Sequence, residues 1–169
     1  MGMLFWVVFV FMFFVPLTFA ATRAAADDGG AADMDKLRDF IKECGIYHLA
    51  TVEDDQPRVR PFGTFTVYDG SFYIQSGRVK NVSKQIFANS KIELSAYDGR
   101  NKWVRIQAVA TEDPRRKVKE FMLDTYPDLK KIYSADDDNT LVLRLSDVTA
   151  RLCSFESGEK IIKFPNIAR

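Results

Sequence analysis

The sequence predicts a mainly β fold, a small and mostly antiparallel barrel of six or seven strands with accessory helices as caps. Three observations predict it. Short β-rich runs alternate apolar with polar residues along most of the chain. Tyr68-Asp69-Gly70-Ser71 sets Asp-Gly between two such runs, a strong hairpin signal. Helical spacing occurs only in short stretches between them.

The elements follow in order. Met34, Leu37, Ile41 and Cys44 stand three and four apart, so residues 34–44 form an amphipathic helix that Gly45 ends. Residues 46–52 are a strand and 53–57 its turn. Residues 58–68 then read as one strand, with Arg58, Arg60, Phe62, Thr64 and Thr66 on one face. Pro61 cannot donate to a ladder, so this strand is bulged or lies at an edge, leaving a notch beside the arginines. Residues 71–76 return as the third strand. Val79, Val82 and Ile86 fall at helical spacing, with Asn89 as C-cap. Residues 91–97 alternate, with Ile92, Leu94 and Ala96 inward. Asp98-Gly99 turns the chain into 101–111, the longest strand, where Trp103, Arg105 and Gln107 oppose Val104, Ile106 and Ala108. Asp113-Pro114 reads as N-cap and N1 of a helix that Tyr126-Pro127 stops. Residues 129–133 are a helical turn and 136–139 a solvated loop. Strands at 140–145 and 149–155 finish the sheet, and 161–164 adds an edge.

The chain has 169 residues. Residues 4–15 are unbroken apolar sequence, followed by Pro16 and by small residues at Thr18, Ala20 and Ala24-Ala25-Ala26. This reads as a secretory signal peptide over 1–26, cleaved after Ala20 or Ala26, although no Lys or Arg precedes the apolar run. An uncleaved anchor at the short end of a bilayer span, or an extension upstream of a start at Met34, are the competing readings. Export to the periplasm or medium follows from a true signal peptide, and a cytoplasmic location from its absence. Residues 27–33 read as a linker, and 34–169 as one domain. Without the leader's Arg23, the 24 basic residues fall to 23 against 23 acidic, which argues against nucleic acid as a partner. Two cysteines, Cys44 and Cys153, make no disulfide framework.

Few chemistries remain. His48 is the sole histidine, so a histidine-based metal site or a catalytic triad has no support. Asp136-Asp137-Asp138 lacks the ligand spacing and closing Glu of a calcium loop. No residue stands out as catalytic. A basic constellation does stand out. Arg58 and Arg60 lie two apart on one strand face, and a planar guanidinium suits bidentate binding of phosphate. Arg78 and Lys80 stand at a helix start, where free N–H groups already favour an anion, and Lys84 shares a helix face with Lys80. Gln75 and Ser76 end the preceding strand, ready to hydrogen-bond something polar and flat. Phe62, Tyr73 and Trp103 offer aromatic walls. Singly, each cation solubilises a surface; together they point to a phosphate.

The sequence resembles the pyridoxamine 5'-phosphate oxidase-like FMN-binding split barrels, especially the short single-domain members. The resemblance runs from Cys44 to Ser154. It rests on Tyr47-His48-Leu49-Ala50-Thr51-Val52, Gln56-Pro57-Arg58-Val59-Arg60-Pro61-Phe62-Gly63, Lys80-Asn81-Val82-Ser83-Lys84-Gln85-Ile86, Lys102-Trp103-Val104-Arg105-Ile106 and Tyr133-Ser134-Ala135-Asp136-Asp137. It implies a homodimer with FMN at the subunit interface, and a flavin-dependent oxidoreductase acting on a small substrate. It assigns the phosphate to Arg58 or Arg60 and Lys80, and hydrogen bonds to the flavin to Gln75, Ser76 and Asn81, with Trp103 approaching from the partner subunit. The rival class it implies is a flavin or haem carrier, or a stress-response module. The oxidases proper carry adjacent Arg-Lys at the helix start and a C-terminal segment that clasps substrate. Here Lys80-Asn81 stands at the first position and no such segment is found, so the resemblance does not extend to vitamin B6 oxidation.

Overall fold

The computed structural model describes residues 26–166, and the leader expected over 1–26 lies outside them except for Ala26. The architecture is an antiparallel sheet curled into an open barrel with helices packed on it. Its elements are β1 (Ala26–Asp28), α1 (Ala31–Cys44), β2 (Tyr47–Glu53), β3 (Gln56–Phe62), β4 (Thr66–Tyr68), β5 (Ser71–Gly77), α2 (Asn81–Ala88), β6 (Lys91–Tyr97), β7 (Lys102–Glu112), α3 (Arg116–Thr125), a short 3-10 helix (Pro127–Lys131), β8 (Thr140–Ser154) and β9 (Gly158–Lys163). The order across the sheet is β1-β9-β8-β7-β6-β2-β3. The fifteen-residue β8 gives its first half to β5 and its second to β9, while β7 runs along its other side. β3 pairs only with β2, so the barrel is split at that edge.

Burial follows the period-two alternation of the strands. Leu49, Phe72, Ile74, Leu94, Val104, Ile106, Leu141 and Leu143 are each at most 1 % exposed and fill one interior. Leu37 and Ile41 of α1 close it. On the opposite face of β5 and β8, Tyr73 and Val142 pack under Val118 and Met122 of α3. Each face of β5 is therefore covered, one by the barrel interior and the other by α3.

The differences from expectation have physical causes. The strand read over 58–68 breaks at 63–65, because side chains take over the backbone pairing there. Tyr126 Oη donates to Phe65 O at 2.8 Å and accepts from Phe65 N at 2.9 Å, and Tyr47 Oη donates to Thr64 O at 2.7 Å. Pro61 does lie on an edge strand, as a missing donor requires. The two strands read over 140–155 are one, since β7 is paired along both halves; the irregularity opposite Gln107 and Val109 is an extra residue on β8, beside Asp147 at φ 50°. The last helix begins at Arg116 and not at Pro114, because Asp113 turns its carboxylate to Arg115. Val79 lies before α2 and is 71 % exposed. α1 starts at Ala31, and 26–28 pair in parallel with β9, so part of the stretch read as linker belongs to the fold. Asp69-Gly70 turns the β4–β5 hairpin with both residues at positive φ, 49° and 68°. Among the described residues no helix is long and apolar enough to cross a membrane, and no three His, Cys, Asp or Glu side chains converge as a metal site.

Candidate anion-binding site

The β5–α2 connection builds the site. β5 delivers Gly77 at its end, Lys80 becomes the N-cap residue of α2, and no side chain caps that helix. Ser83 N–H already bonds Lys80 O, so the N–H groups of Asn81 and Val82 and the positive dipole end are what this end of the helix offers beside Lys80. Both lysines are exposed, and neither has a carboxylate partner among the described residues. Lys80 Nζ lies over the Tyr133 ring, 5.9 Å from its centroid. Asn81 is exposed at the first helical position.

The turn itself is held from afar. Arg78 forks onto Glu112 and donates through Nε to Asp138 O at 2.9 Å. Its backbone N–H reaches Asn139 O, and Val79 N reaches Asn139 Oδ1. Arg78 is thus a strut of the turn, and the loop expected to be solvated is docked beneath it. Gly77 is bare for a reason: a Cβ there would stand 2.8 Å from Tyr133 Oη and 3.2 Å from Asn139 Oδ1.

Beside α2, β3 presents its arginines on the face shared with Tyr47, Leu49 and Thr51. Arg58 is exposed and pairs with Glu53 at 2.7 Å. Arg60 is half-buried and bonds Leu49 O, Thr51 Oγ1 and Gln85 Oε1. Burial, and then the nearby Arg58 charge, push its guanidinium below its ordinary value, yet an arginine stays charged. Hydrogen bonds from Gln85 and Arg58 hold the Glu53 carboxyl below the usual range. Two arginines against one glutamate leave this corner positive.

Ser76 is buried and turned toward α2, where Ser83 Oγ lies 3.1 Å from its Oγ and 2.8 Å from Gly77 O. Gln75 points from the other face of β5, the one carrying Tyr73. Its carboxamide is buried, and neither its nitrogen nor its oxygen has a partner among the described residues. Phe62 is half-buried with its ring 5.9 Å from that of Tyr47, at the margin of the interior. Trp103 is not brought to the group within one chain. It follows Lys102, the first residue of β7, at the end away from Ala110, whose N–H reaches Ser90 just past α2. There it packs on Phe155 at 5.0 Å and lines a separate cavity of about 450 Å³ with Leu37 and Phe40.

Thr51, Ser83, Gln85 and Glu53 escaped the sequence reading. Gln85 had a signal, since it falls three residues after Val82 and one before Ile86, on the buried stripe of α2. A long polar side chain on an apolar stripe needs a partner.

The family model for pyridoxamine 5'-phosphate oxidase matches residues 34–149. A NimC/NimA family protein from Clostridium acetobutylicum is 40% identical, with a TM-score of 0.73 over 77% of this chain and 92% of that one. General Stress Protein 26 from Bacillus anthracis is 17% identical, with a TM-score of 0.59 over 70% of this chain and 92% of its own. HutZ, the heme storage protein from Vibrio cholerae, is 15% identical, with a TM-score of 0.53 over 66% and 87%. The last two show the fold alone. No curated protein matches the chain. The extent of the family match and the identity of the clostridial relative agree with the split barrel: the chain belongs to the pyridoxamine 5'-phosphate oxidase-like family.

Proposed function

We propose that the chain is an FMN-binding flavoprotein, an oxidoreductase acting on a small substrate over the exposed face of the flavin. One observation carries the reading. The uncapped start of α2, with Lys80 and Lys84 unpaired by carboxylates, stands beside an arginine corner whose positive charge exceeds its negative. That arrangement fits a phosphate monoester, because helix N–H groups, lysines and a guanidinium all favour a compact anion. Gln75 supports a flat polar group nearby, since a buried amide without partners is costly and an ordered water or a ligand edge meets the need. When bound, FMN supplies the electron-transfer chemistry, and the protein supplies position and charge. Lys80, Lys84 and Arg60 hold the phosphate end. Asn81 and Ser76 offer hydrogen bonds where α2 begins.

A second copy of the chain completes the site in this proposal and brings Trp103. The outer face of the split edge supports it. Pro57, Val59 and Pro61 of β3 lie beside Val52, Ala50 and His48 of β2, and Val59 is 64 % exposed. A groove of about 460 Å³ continues from Pro57 and Ala50 to Val109.

The test begins with the absorption spectrum of protein purified without added cofactor, which is expected to show a bound flavin. A Soret band in its place would make the chain a haem carrier, and a flavin that NAD(P)H and other donors never reduce would make it a flavin carrier. Lys80→Ala then removes a charge-assisted hydrogen bond of about 1.5–3 kcal/mol. FMN affinity is expected to fall roughly 10- to 150-fold, with riboflavin affinity retained.

A further inference from the structure

We infer that Thr51 and Gln85 are positioning residues that hold Arg60 by one edge of its guanidinium and leave the other as a two-pronged fork for a phosphate monoester. The inference rests on the phosphate-cradle reading above and assigns new roles to two residues within it.

The hydrogen bonds of Arg60 can be counted. Nη1 donates to Leu49 O at 3.1 Å and to Thr51 Oγ1 at 2.7 Å, which uses both of its hydrogens. Nη2 donates to Gln85 Oε1 at 2.7 Å, which uses one. A guanidinium has five N–H groups in a fixed plane. The two left over are Nε–H and the second Nη2–H. These point the same way from one edge, the geometry that binds two oxygens of a phosphate or carboxylate.

The held edge is rigid because its acceptors hold each other. Thr51 Oγ1 donates to Gln85 Oε1 at 2.6 Å, so that oxygen gathers both the threonine and the arginine. The amide orientation is fixed, since Arg60 can only donate and must face the oxygen. Gln85 Nε2 then turns to Glu53 Oε1 at 3.3 Å, and Glu53 is itself paired with Arg58. Thr51 is 3 % exposed and Gln85 6 %, so water does not compete for these bonds. Glu53 answers Arg58, and the open edge of Arg60 meets no carboxylate among the described residues. A chelated anion would offset the repulsion between the two arginines.

Two measurements decide the matter on the full chain. The first titrates inorganic phosphate while following the Arg60 Nε–H resonance by nitrogen-15 NMR. Wild type is expected to shift and saturate, and Gln85→Leu to lose the shift. An unresponsive Nε–H in wild type overturns the fork. The second compares FMN with riboflavin by flavin fluorescence quenching. Gln85→Leu and Thr51→Val are expected to weaken FMN roughly 10-fold without changing riboflavin affinity, and Thr51→Ser, which keeps the hydroxyl, to restore it. Equal losses for both flavins, or no loss, overturn the positioning role and leave the pair as packing. A wild-type protein that binds neither flavin, but still shifts with phosphate, sinks the flavin reading and leaves the fork standing.

Discussion

β3 and β5 are both seven residues long, and each carries residues of the candidate site, but their surroundings are opposite. Every residue of β5 is buried, because β4 and β8 flank it in the sheet while the barrel interior and α3 cover its faces. No residue of β3 is fully buried, because it pairs with β2 alone and carries two prolines. The strand in the middle supplies fixed position. The strand at the edge supplies charge, because long arginines there keep solvent within reach. What a site residue can do thus depends on how many neighbours its strand has.

The largest effect is expected from β5. Phe72→Ala deletes a ring that is 1 % exposed, stacked on Phe65 and edge-to-face with Phe164. It should cost about 3–5 kcal/mol, whereas Val59→Ala on β3 should stay within about 0.5 kcal/mol. Urea denaturation of both variants measures the difference, and equal costs would mean that β3 is as embedded as β5.

Gly77→Ala should come next. Its methyl would be driven against Tyr133 and Asn139, at an expected cost of about 1–3 kcal/mol. Tyr133 supports Lys80, so FMN affinity should fall with stability. Stability unchanged by this variant would show that the Tyr133 ring yields freely.

A smaller effect separates the acids beside the two strands. Asp113, under β5, is pushed up by burial, but bonds from Arg115 and from Tyr73 more than offset this and hold it below the ordinary carboxylate range. A depressed folded value means that its stabilisation is present above the unfolded pKa of about 3.9 and is lost as pH falls through the folded value. Asp113→Asn should therefore lower the urea midpoint at pH 7, with the gap to wild type closing at the acid end. A gap that stays constant into strong acid would mean that the charge contributes nothing.

The least effect is expected at the edge itself. Arg58→Ala breaks an exposed pair with Glu53, and the denaturation midpoint should not move measurably. A clear loss of stability would mean that the exposed Arg58–Glu53 pair stabilises the fold through Gln85, which also bonds Glu53.

The sequence by itself determined the fold class, because periodicity and turn chemistry are local. Asp69-Gly70 had to turn a hairpin, the spacing of Leu37 and Ile41 had to make a helical face, and the alternation at Ile92, Leu94 and Ala96 had to bury one side of a strand. It also determined that the Pro61 strand would be bulged or at an edge and that cations would gather where α2 begins. Tertiary structure decided which of those cations are available. Arg78 is committed to Glu112 and Arg58 to Glu53, while Arg60 is held along one edge and Lys80 and Lys84 have no carboxylate partner among the described residues. It also decided where β3 ends, since the groups that satisfy Phe65 come from Tyr126, sixty-one residues away. Spacing along a chain tells which side chains share a face, but hydrogen-bond partners come from any element that folds against that face. An ion pair such as Arg78 with Glu112 forms only when the β5–α2 turn and β7 are both in place.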